Sequence, residues 1–122
     1  ENPLTQSQLN KARAAVRDVR MSEQVEEYLV QIILATRNSE KYGGNLSDWL
    51  EFGASPRATI ALDICSKSLA WLDNRNFVTP DDIRSIAHDV LRHRLILSFE
   101  AEANGISSDQ VVDELLKVVP SA

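Results

Sequence analysis

The sequence predicts an all-α fold, a single bundle of four or five helices, and three observations support this class. Apolar residues recur at spacings of three and four along several stretches of the chain. Only 6% of the 122 residues are aromatic, and 4 Gly and 4 Pro supply too few turns for a many-stranded sandwich. Residues typical of helix starts precede the periodic stretches. A chain of this length can bury one hydrophobic core without a disulfide or a metal.

The first two periodic stretches predict a short helix followed by a central one. Thr5 or Ser7 would cap the first helix, and Ser22 would cap the second, which should end near Arg37-Asn38. The second helix has a wide apolar face, which is typical of a position in the middle of a bundle. The stripe of the first helix is Leu9, Ala12, Val16 and Val19, and that of the second is Val25, Leu29, Ile32 and Thr36.

Residues 38–46 are predicted to form a loop with Gly43-Gly44 as its flexible point, and residues 47–52 a single helical turn that buries Trp49 and Leu50. A third helix should then begin with Ser55 as its N-cap and Pro56 at its first position, where the missing N–H costs nothing. We expect Trp71 to lie in the core with Trp49. The predicted inward stripe of this helix is Ala58, Leu62, Cys65, Leu69 and Leu72.

The polar residues 73–76 should end the third helix. A fourth helix should begin at Thr79-Pro80-Asp81-Asp82 with Thr79 as its cap. Residues 91–104 fit a short strand or more helix equally well. Ser107 or Ser108 would cap a last helix that ends before Pro120. The inward residues of these two helices are Ile83, Ile86, Ala87 and Val90, then Val111, Val112, Leu115, Leu116 and Val119.

The charge and the cysteine content exclude several classes of protein. The net charge of −5 argues against nucleic acid as a main partner, because phosphate binding needs a basic surface. Cys65 is the only cysteine, which fits a reducing compartment, and we expect a cytoplasmic protein. The sequence contains no run of 18 apolar residues, the length that a membrane-spanning helix needs. The chain starts at Glu1 without features of a signal peptide, so we expect a domain excised from a longer protein.

The sequence lacks the motifs of a self-sufficient enzyme. The glycines do not form a phosphate loop of the GxxxxGK[ST] type, and no GxSxG, HExxH or metal-spaced Cys/His set occurs. His88 and His93 are five residues apart, which is not a spacing that places two side chains together on a helix. We therefore expect no metal site, and no enzymatic activity from this chain alone.

The sharpest local feature is Arg57, a cation in the first turn of a predicted helix. The helix dipole makes the N-terminus electropositive, so this arginine costs a few tenths to ~1 kcal/mol at an exposed site. A phosphate would account for the arrangement, because helix N-termini bind phosphate and arginine offers a rigid fork of donors. The alternative is an exposed arginine paired with a nearby Asp or Glu.

A set of motifs in a fixed order resembles the C-terminal part of the MoxR family of AAA+ ATPases. The resemblance runs from about Leu9 to Val119, nearly the whole chain. It implies that the fold is the AAA+ lid type. The motifs are Ala35-Thr36-Arg37, Gly53-Ala54-Ser55-Pro56-Arg57-Ala58, Phe77-Val78-Thr79-Pro80-Asp81-Asp82-Ile83 and Val90-Leu91-Arg92-His93-Arg94.

The resemblance implies a role in nucleotide binding for residues 53–57. In AAA+ proteins an αβ core domain carries the phosphate loop and holds ATP with Mg²⁺, and a helical lid supplies an arginine, called sensor 2, to the γ-phosphate. Arg57 matches that arginine. Gly53 and Ala54 would let the backbone approach the phosphates, and Ser55-Pro56 would fix the helix start that aims Arg57. The core domain is absent from residues 1–122, so we expect weak or undetectable ATP binding by this chain.

The family also implies partners. AAA+ proteins work as rings, usually hexamers, so the lid would contact the missing core and a neighbouring subunit, whereas the isolated chain should be a monomer. Family members are chaperones that remodel or assemble client proteins, often proteins with von Willebrand factor A domains.

Other motifs and functions remain open at this point. Arg37 suits the dipole at the end of its helix, or contacts a core or a subunit, and Arg92-His93-Arg94 contacts a partner or acids within the domain. An alternative function is a stand-alone helical interaction module without a nucleotide role. A histone-like DNA-binding fold, suggested by residues 77–83, conflicts with the acidic net charge.

Overall fold

The computed structural model describes residues 5–120, apart from the side chain of Phe52, and this part of the chain forms a helical bundle with one small sheet. The predicted all-α class is confirmed, with seven α-helices among these residues where the sequence predicted four or five, and with a 3₁₀ helix at Ser39–Lys41 inside the predicted loop. The helices are α1 (Gln6–Arg17), α2 (Glu23–Arg37), α3 (Leu46–Trp49), α4 (Pro56–Leu72), α5 (Pro80–Leu91), α6 (Phe99–Ala103) and α7 (Ser108–Val118), and the strands are β1 (Leu50–Phe52) and β2 (Ile96–Leu97).

Side-chain caps start most of the helices, as the sequence predicts. The hydroxyls of Thr5, Ser22, Thr79 and Ser107 each accept a hydrogen bond from a backbone N–H in the first turn of α1, α2, α5 and α7. Three of these caps are reciprocal capping boxes, which satisfy two backbone donors at once. The sequence left Thr5 or Ser7, and Ser107 or Ser108, as alternatives, and the first residue of each pair is the cap.

Helix α2 lies at the centre of the bundle, as its wide apolar face predicts. It contacts α4, α5, α7 and β1, and its whole predicted stripe is buried. Val19 is also buried, although it lies just after α1. Helix α1 itself is peripheral, because it packs mainly on α4 and has no fully buried residue.

The predicted inward face of α4 is wrong in part. Its fully buried residues are Ala58, Leu62, Ser66 and Ala70, whereas Cys65 and Leu72 are exposed. The buried side chains follow a strict spacing of four, and three of them are small. Small residues allow α4 to pack closely against α5, its most extensive partner. The error arises because α4 is apolar on nearly every side, so that periodicity alone does not select a face.

The two tryptophans are less buried than predicted. Trp49 is only partly buried, although it packs against the core, and Trp71 is 38% exposed near the end of α4. In the predicted turn at residues 47–52, Leu50 is buried as expected, but the fully buried residue nearby is Leu46. The expectation that both tryptophans are core residues is therefore wrong for Trp71.

Strand pairing resolves the two segments that the sequence describes least well. Leu50 pairs with Leu97 and Phe52 with Ile96 in an antiparallel ladder, so the second half of the predicted turn at 47–52 is a strand. Residues 91–104 contain both β2 and α6. The Ser98 N–H donates to the Trp49 carbonyl at 2.8 Å, which joins the two segments beyond the ladder. The sequence did not predict β1 and gave β2 only as one of two alternatives, because each strand depends on a partner more than 40 residues away.

A partly buried ion pair closes the turn between α4 and α5. Arg75 makes a two-pronged contact with Asp82, with both N–O distances at 2.7 Å, and the Thr79 N–H donates to the same carboxylate at 2.8 Å. Burial acts to raise the pKa of Asp82, but the hydrogen bonds from Arg75 and Thr79 outweigh it and hold the pKa below its ordinary value. Asp82 therefore contributes stability while it is ionised.

We expect Asp82→Asn to lower the free energy of unfolding by about 1.5–3 kcal/mol at pH 7, because a charge-assisted pair is lost. The folded-state pKa of Asp82 is depressed, so its contribution is complete above the unfolded pKa, about 3.9, and is lost as the pH falls further. Urea denaturation at pH 7 and pH 3 measures both effects. Asp81→Asn, in the same turn but exposed, is the control and should change stability by less than about 0.5 kcal/mol. Equal effects of the two substitutions would contradict the role of the pair.

Candidate functional site

Residues 53–57, which the sequence singled out, lie where the end of α2 meets the start of α4. Gly53 touches the α2 backbone so closely that a Cβ built on it would lie 2.1 Å from the carbonyl oxygen of Thr36 and 2.9 Å from the N atom of Arg37. Both groups belong to the main chain and cannot rotate away. The structure therefore gives Gly53 a packing role that the sequence did not suggest.

Both backbone polar groups of Ala54 bond to side chains at the end of α2. The Ala54 N–H donates to Thr36 Oγ1 at 2.9 Å, and the Ala54 carbonyl accepts from Arg37 Nε at 2.8 Å. The Thr36 hydroxyl in turn donates to the Ile33 carbonyl at 2.7 Å. Arg37 is exposed and lies in the last turn of α2, where a cation interacts favourably with the helix dipole, as predicted. Its bond to Ala54 is a second role, which lies within the domain.

Ser55 and Pro56 start α4 at the predicted positions. Ser55 is the N-cap, with φ −78° and ψ 168°, and Pro56 occupies the first turn. The Ser55 side chain makes no capping hydrogen bond, in contrast to the caps of α1, α2, α5 and α7. The start of α4 therefore has no side-chain cap, and the positive potential of this helix end remains available to an external anion.

Arg57 is exposed in the first turn of α4. Among residues 5–120 it forms no ion pair, so the alternative in which a nearby acid neutralises it finds no partner in this part of the chain. An unpaired cation at the positive end of a helix is unfavourable unless an anion faces both. Ile60 and Ile64, one and two turns further on the same face, are 59% and 52% exposed.

One member of the basic cluster near the end of α5, Arg92, is paired with acids of the same domain. Arg92 donates to Asp109 at 2.8 Å and lies 3.4 Å from Asp89, and the hydrogen bond from Arg92 holds the pKa of Asp109 below its ordinary value. His88 lies 2.7 Å from Asp113 of α7. Of the two interpretations of this cluster, the structure therefore favours acids of the same domain for Arg92, while His93 and Arg94 are exposed.

The surface away from residues 53–57 includes a groove between α1 and α4. This groove has a volume of about 600 Å³ and includes Arg13, Ile64 and Lys67 in its lining. Within residues 5–120, no group of three or more His, Cys, Asp and Glu side chains could hold a metal ion. In the same range, none of the helices combines the length and the apolar character that crossing a membrane requires.

Comparison with known proteins decides the family. The family model described as the AAA lid domain matches residues 47–115, which is more than half of the chain. The chain belongs to the AAA lid domain family. The lid-type fold that the resemblance implied is thereby confirmed, and the histone-like alternative loses its support.

The relatives are MoxR proteins and a solved ATPase structure. The chain is 40% identical over 94 residues to Chaperone MoxR1 of Mycobacterium tuberculosis, covering 76% of this chain and 25% of the relative. It is 35% identical to the protein YeaC of Bacillus subtilis, covering 85% of this chain and 30% of that protein. The crystal structure of a proposed ATPase from Cytophaga hutchinsonii matches 95% of this lid domain with a TM-score of 0.89 and 36% identity, over 36% of its own length.

These matches confirm the resemblance to MoxR-type AAA+ ATPases. The lid domain spans about a quarter of the length of MoxR1, so the matches concern only one part of such proteins. Sequence reasoning found residues 53–57 but missed their bonds to Thr36 and Arg37. The only signal was that Ala35-Thr36-Arg37 is one of the motifs that carry the resemblance, because nothing in the spacing reveals a contact across 18 residues.

We expect Gly53→Ala to destabilise the lid domain by at least about 3 kcal/mol, at the upper end of overpacking costs, because the added Cβ meets rigid backbone. Gly43→Ala is the control, since nothing lies within 4 Å of its Cβ and only its φ of +78° opposes a side chain. That strain should cost about 1 kcal/mol. Thermal and urea unfolding of both variants measure the difference. A Gly53→Ala variant as stable as Gly43→Ala would show that the contact with Thr36 is not tight.

Proposed function

We propose that this lid domain works within a longer MoxR-type AAA+ ATPase, where Arg57 is the sensor 2 arginine that contacts the γ-phosphate of ATP bound by a separate core domain. The observation that carries the proposal is the exposed Arg57, without an ion-pair partner among residues 5–120, at a helix start that no side chain caps. The position of Arg57 in the Gly53–Ala58 motif, within the matched lid family, supports it.

The chemistry of Arg57 and of the start of α4 fits a triphosphate, whereas the N–H and the carbonyl of Ala54 are bonded to Thr36 and Arg37 and are not free to bind a phosphate. A phosphate oxygen would be attracted both by the dipole of α4 and by the guanidinium of Arg57, which can donate several parallel hydrogen bonds. Gly53, Ala54, Ser55 and Pro56 form the stretch of backbone that leads to this helix end. The lid domain has no phosphate loop, so the core would hold the ATP and its Mg²⁺.

Exposed apolar side chains support a covering partner beside Arg57. Ile60 and Ile64 lie on the same face of α4 as Arg57 and are more than half exposed. Burying both on a partner would contribute free energy in proportion to the apolar area removed from water. We assign this face to contact with the core domain, so that closure of the lid brings Arg57 to the nucleotide.

The wider activity is ATP-driven remodelling or assembly of client proteins. One relative is named a chaperone, and AAA+ proteins generally act as rings, so we propose a ring in which the lid also contacts a neighbouring subunit, with six subunits as in most of the superfamily. Proteins with von Willebrand factor A domains are the client class that the family suggests. The expectations of a monomeric isolated chain and of a cytoplasmic location stay predictions.

Arg57→Ala in the full-length protein tests the proposed role directly. We expect kcat for ATP hydrolysis to fall at least roughly tenfold, equivalent to about 1.4 kcal/mol of barrier, because an arginine on the γ-phosphate stabilises charge in the transition state. Arg57→Lys should recover only part of the rate, since lysine keeps the charge without the planar fork. Lys117→Ala, which removes an exposed cation from α7, should leave kcat unchanged.

Two outcomes would count against the proposal. A normal kcat in Arg57→Ala, with a circular dichroism spectrum like that of wild type, would exclude the sensor role. A full-length protein without a phosphate loop and without ATPase activity would instead favour the stand-alone interaction module.

A further inference from the structure

We propose that Thr36 is a positioning residue for Arg57, and that Arg37 assists it by holding the same loop. This inference rests on the proposed function, since it concerns how the sensor arginine is aimed. The two residues lie at the end of α2, and neither belongs to the helix that carries Arg57.

The loop before α4 is fixed at Ala54. Its N–H donates to the Thr36 hydroxyl at 2.9 Å, and its carbonyl accepts from Arg37 at 2.8 Å. Both polar groups of the Ala54 backbone are therefore bonded to α2. Ala54 is only 2% exposed, and water does not readily replace these partners. Gly53, immediately before it, is in backbone contact with Thr36. Residues 53 and 54 therefore move with the end of α2.

Few free torsions separate Ala54 from Arg57. Ser55 has the extended conformation of an N-cap, and its carbonyl accepts the first helical hydrogen bond, from the Ala58 N–H at 2.9 Å. The ring of Pro56 restricts its own φ and keeps Ser55 extended. The anchored Ala54 thus sets the position and direction of the first turn of α4, and with it the backbone of Arg57.

The hydroxyl of Thr36 holds Ala54 by a hydrogen bond that an apolar side chain of the same size could not make. Thr36 is 3% exposed, and its Oγ1 donates to the Ile33 carbonyl while it accepts from the Ala54 N–H. Valine would fill the same space but would leave the buried Ala54 N–H without an acceptor, which favours a shift of the loop toward water. Serine would keep the hydroxyl and lose only a methyl group.

The positioning role predicts a specific pattern in the full-length ATPase. We expect Thr36→Val to lower kcat roughly tenfold, because a displacement on the order of 1 Å at a charge-stabilising group is costly. Thr36→Ser should restore kcat to within about twofold of wild type, as it keeps the acceptor for Ala54. Affinity for ADP should be unchanged in Thr36→Val, since ADP lacks the γ-phosphate that Arg57 contacts, whereas general damage to the lid would weaken it.

A double-mutant cycle separates positioning from general damage. If Thr36 acts through Arg57, then Thr36→Val combined with Arg57→Ala should be no slower than Arg57→Ala alone, within about twofold. Ser107→Ala is the control, because it also removes a hydroxyl that accepts from a backbone N–H, but at the start of α7 and away from the face of α4 that carries Arg57, so it should leave kcat unchanged. Losses that multiply in the double variant, or a Thr36→Val variant with wild-type kcat, would overturn the inference.

The test remains decisive if Thr36→Val does not fold. Arg37→Met removes the second bond to Ala54 from an exposed side chain, so the fold should survive. A loss of kcat that disappears in the Arg57→Ala background supports the positioning role, and a wild-type kcat overturns it. If Arg57→Ala itself has normal activity, the proposed function fails. If only the Thr36 and Arg37 variants are normal, the sensor role stands and this inference alone fails.

Discussion

The close contact between the end of α2 and the loop before α4 is the constraint on which the rest of the lid domain depends. Gly53 has no room for a side chain against the Thr36 carbonyl, and Ala54 is bonded on both sides to Thr36 and Arg37. This contact fixes where α4 begins, and α4 in turn packs against α1, α2 and α5. The central helix therefore serves both as core and as the support for the one candidate functional side chain, Arg57.

One side of α4 carries features that contacts within residues 5–120 do not explain. Arg57 is exposed, the start of α4 has no side-chain cap, and Ile60 and Ile64 of the same helix face water. Each feature is unfavourable or unexplained in isolation and becomes favourable if a core domain with bound nucleotide covers this side of α4. Charge-assisted bonds from one arginine contribute about 1.5–3 kcal/mol each at best, and less in water, so tight nucleotide binding needs the groups of the core.

The sequence predicts the features of this domain that are encoded locally. Caps at Ser22 and Thr79 and the inward face of α2 follow from residue type and spacing, and the motif around Arg57 identifies the candidate site. The face of α4 could not be predicted, because Ser66 and Ala70 are buried for their small size while Cys65 and Leu72 are exposed. The pairing of β1 with β2 and the Thr36–Ala54 bond depend on residues far apart in the chain, which periodicity does not connect.

The sensor role of Arg57 is tested most directly by a structure of the full-length protein with a non-hydrolysable ATP analogue and Mg²⁺. If Arg57 is the sensor arginine, its guanidinium lies about 2.7–2.9 Å from an oxygen of the γ-phosphate, the distance of a charge-assisted hydrogen bond. In the same structure the core covers Ile60 and Ile64. An Arg57 side chain directed into solvent while the analogue is bound and the lid is closed would exclude the sensor role.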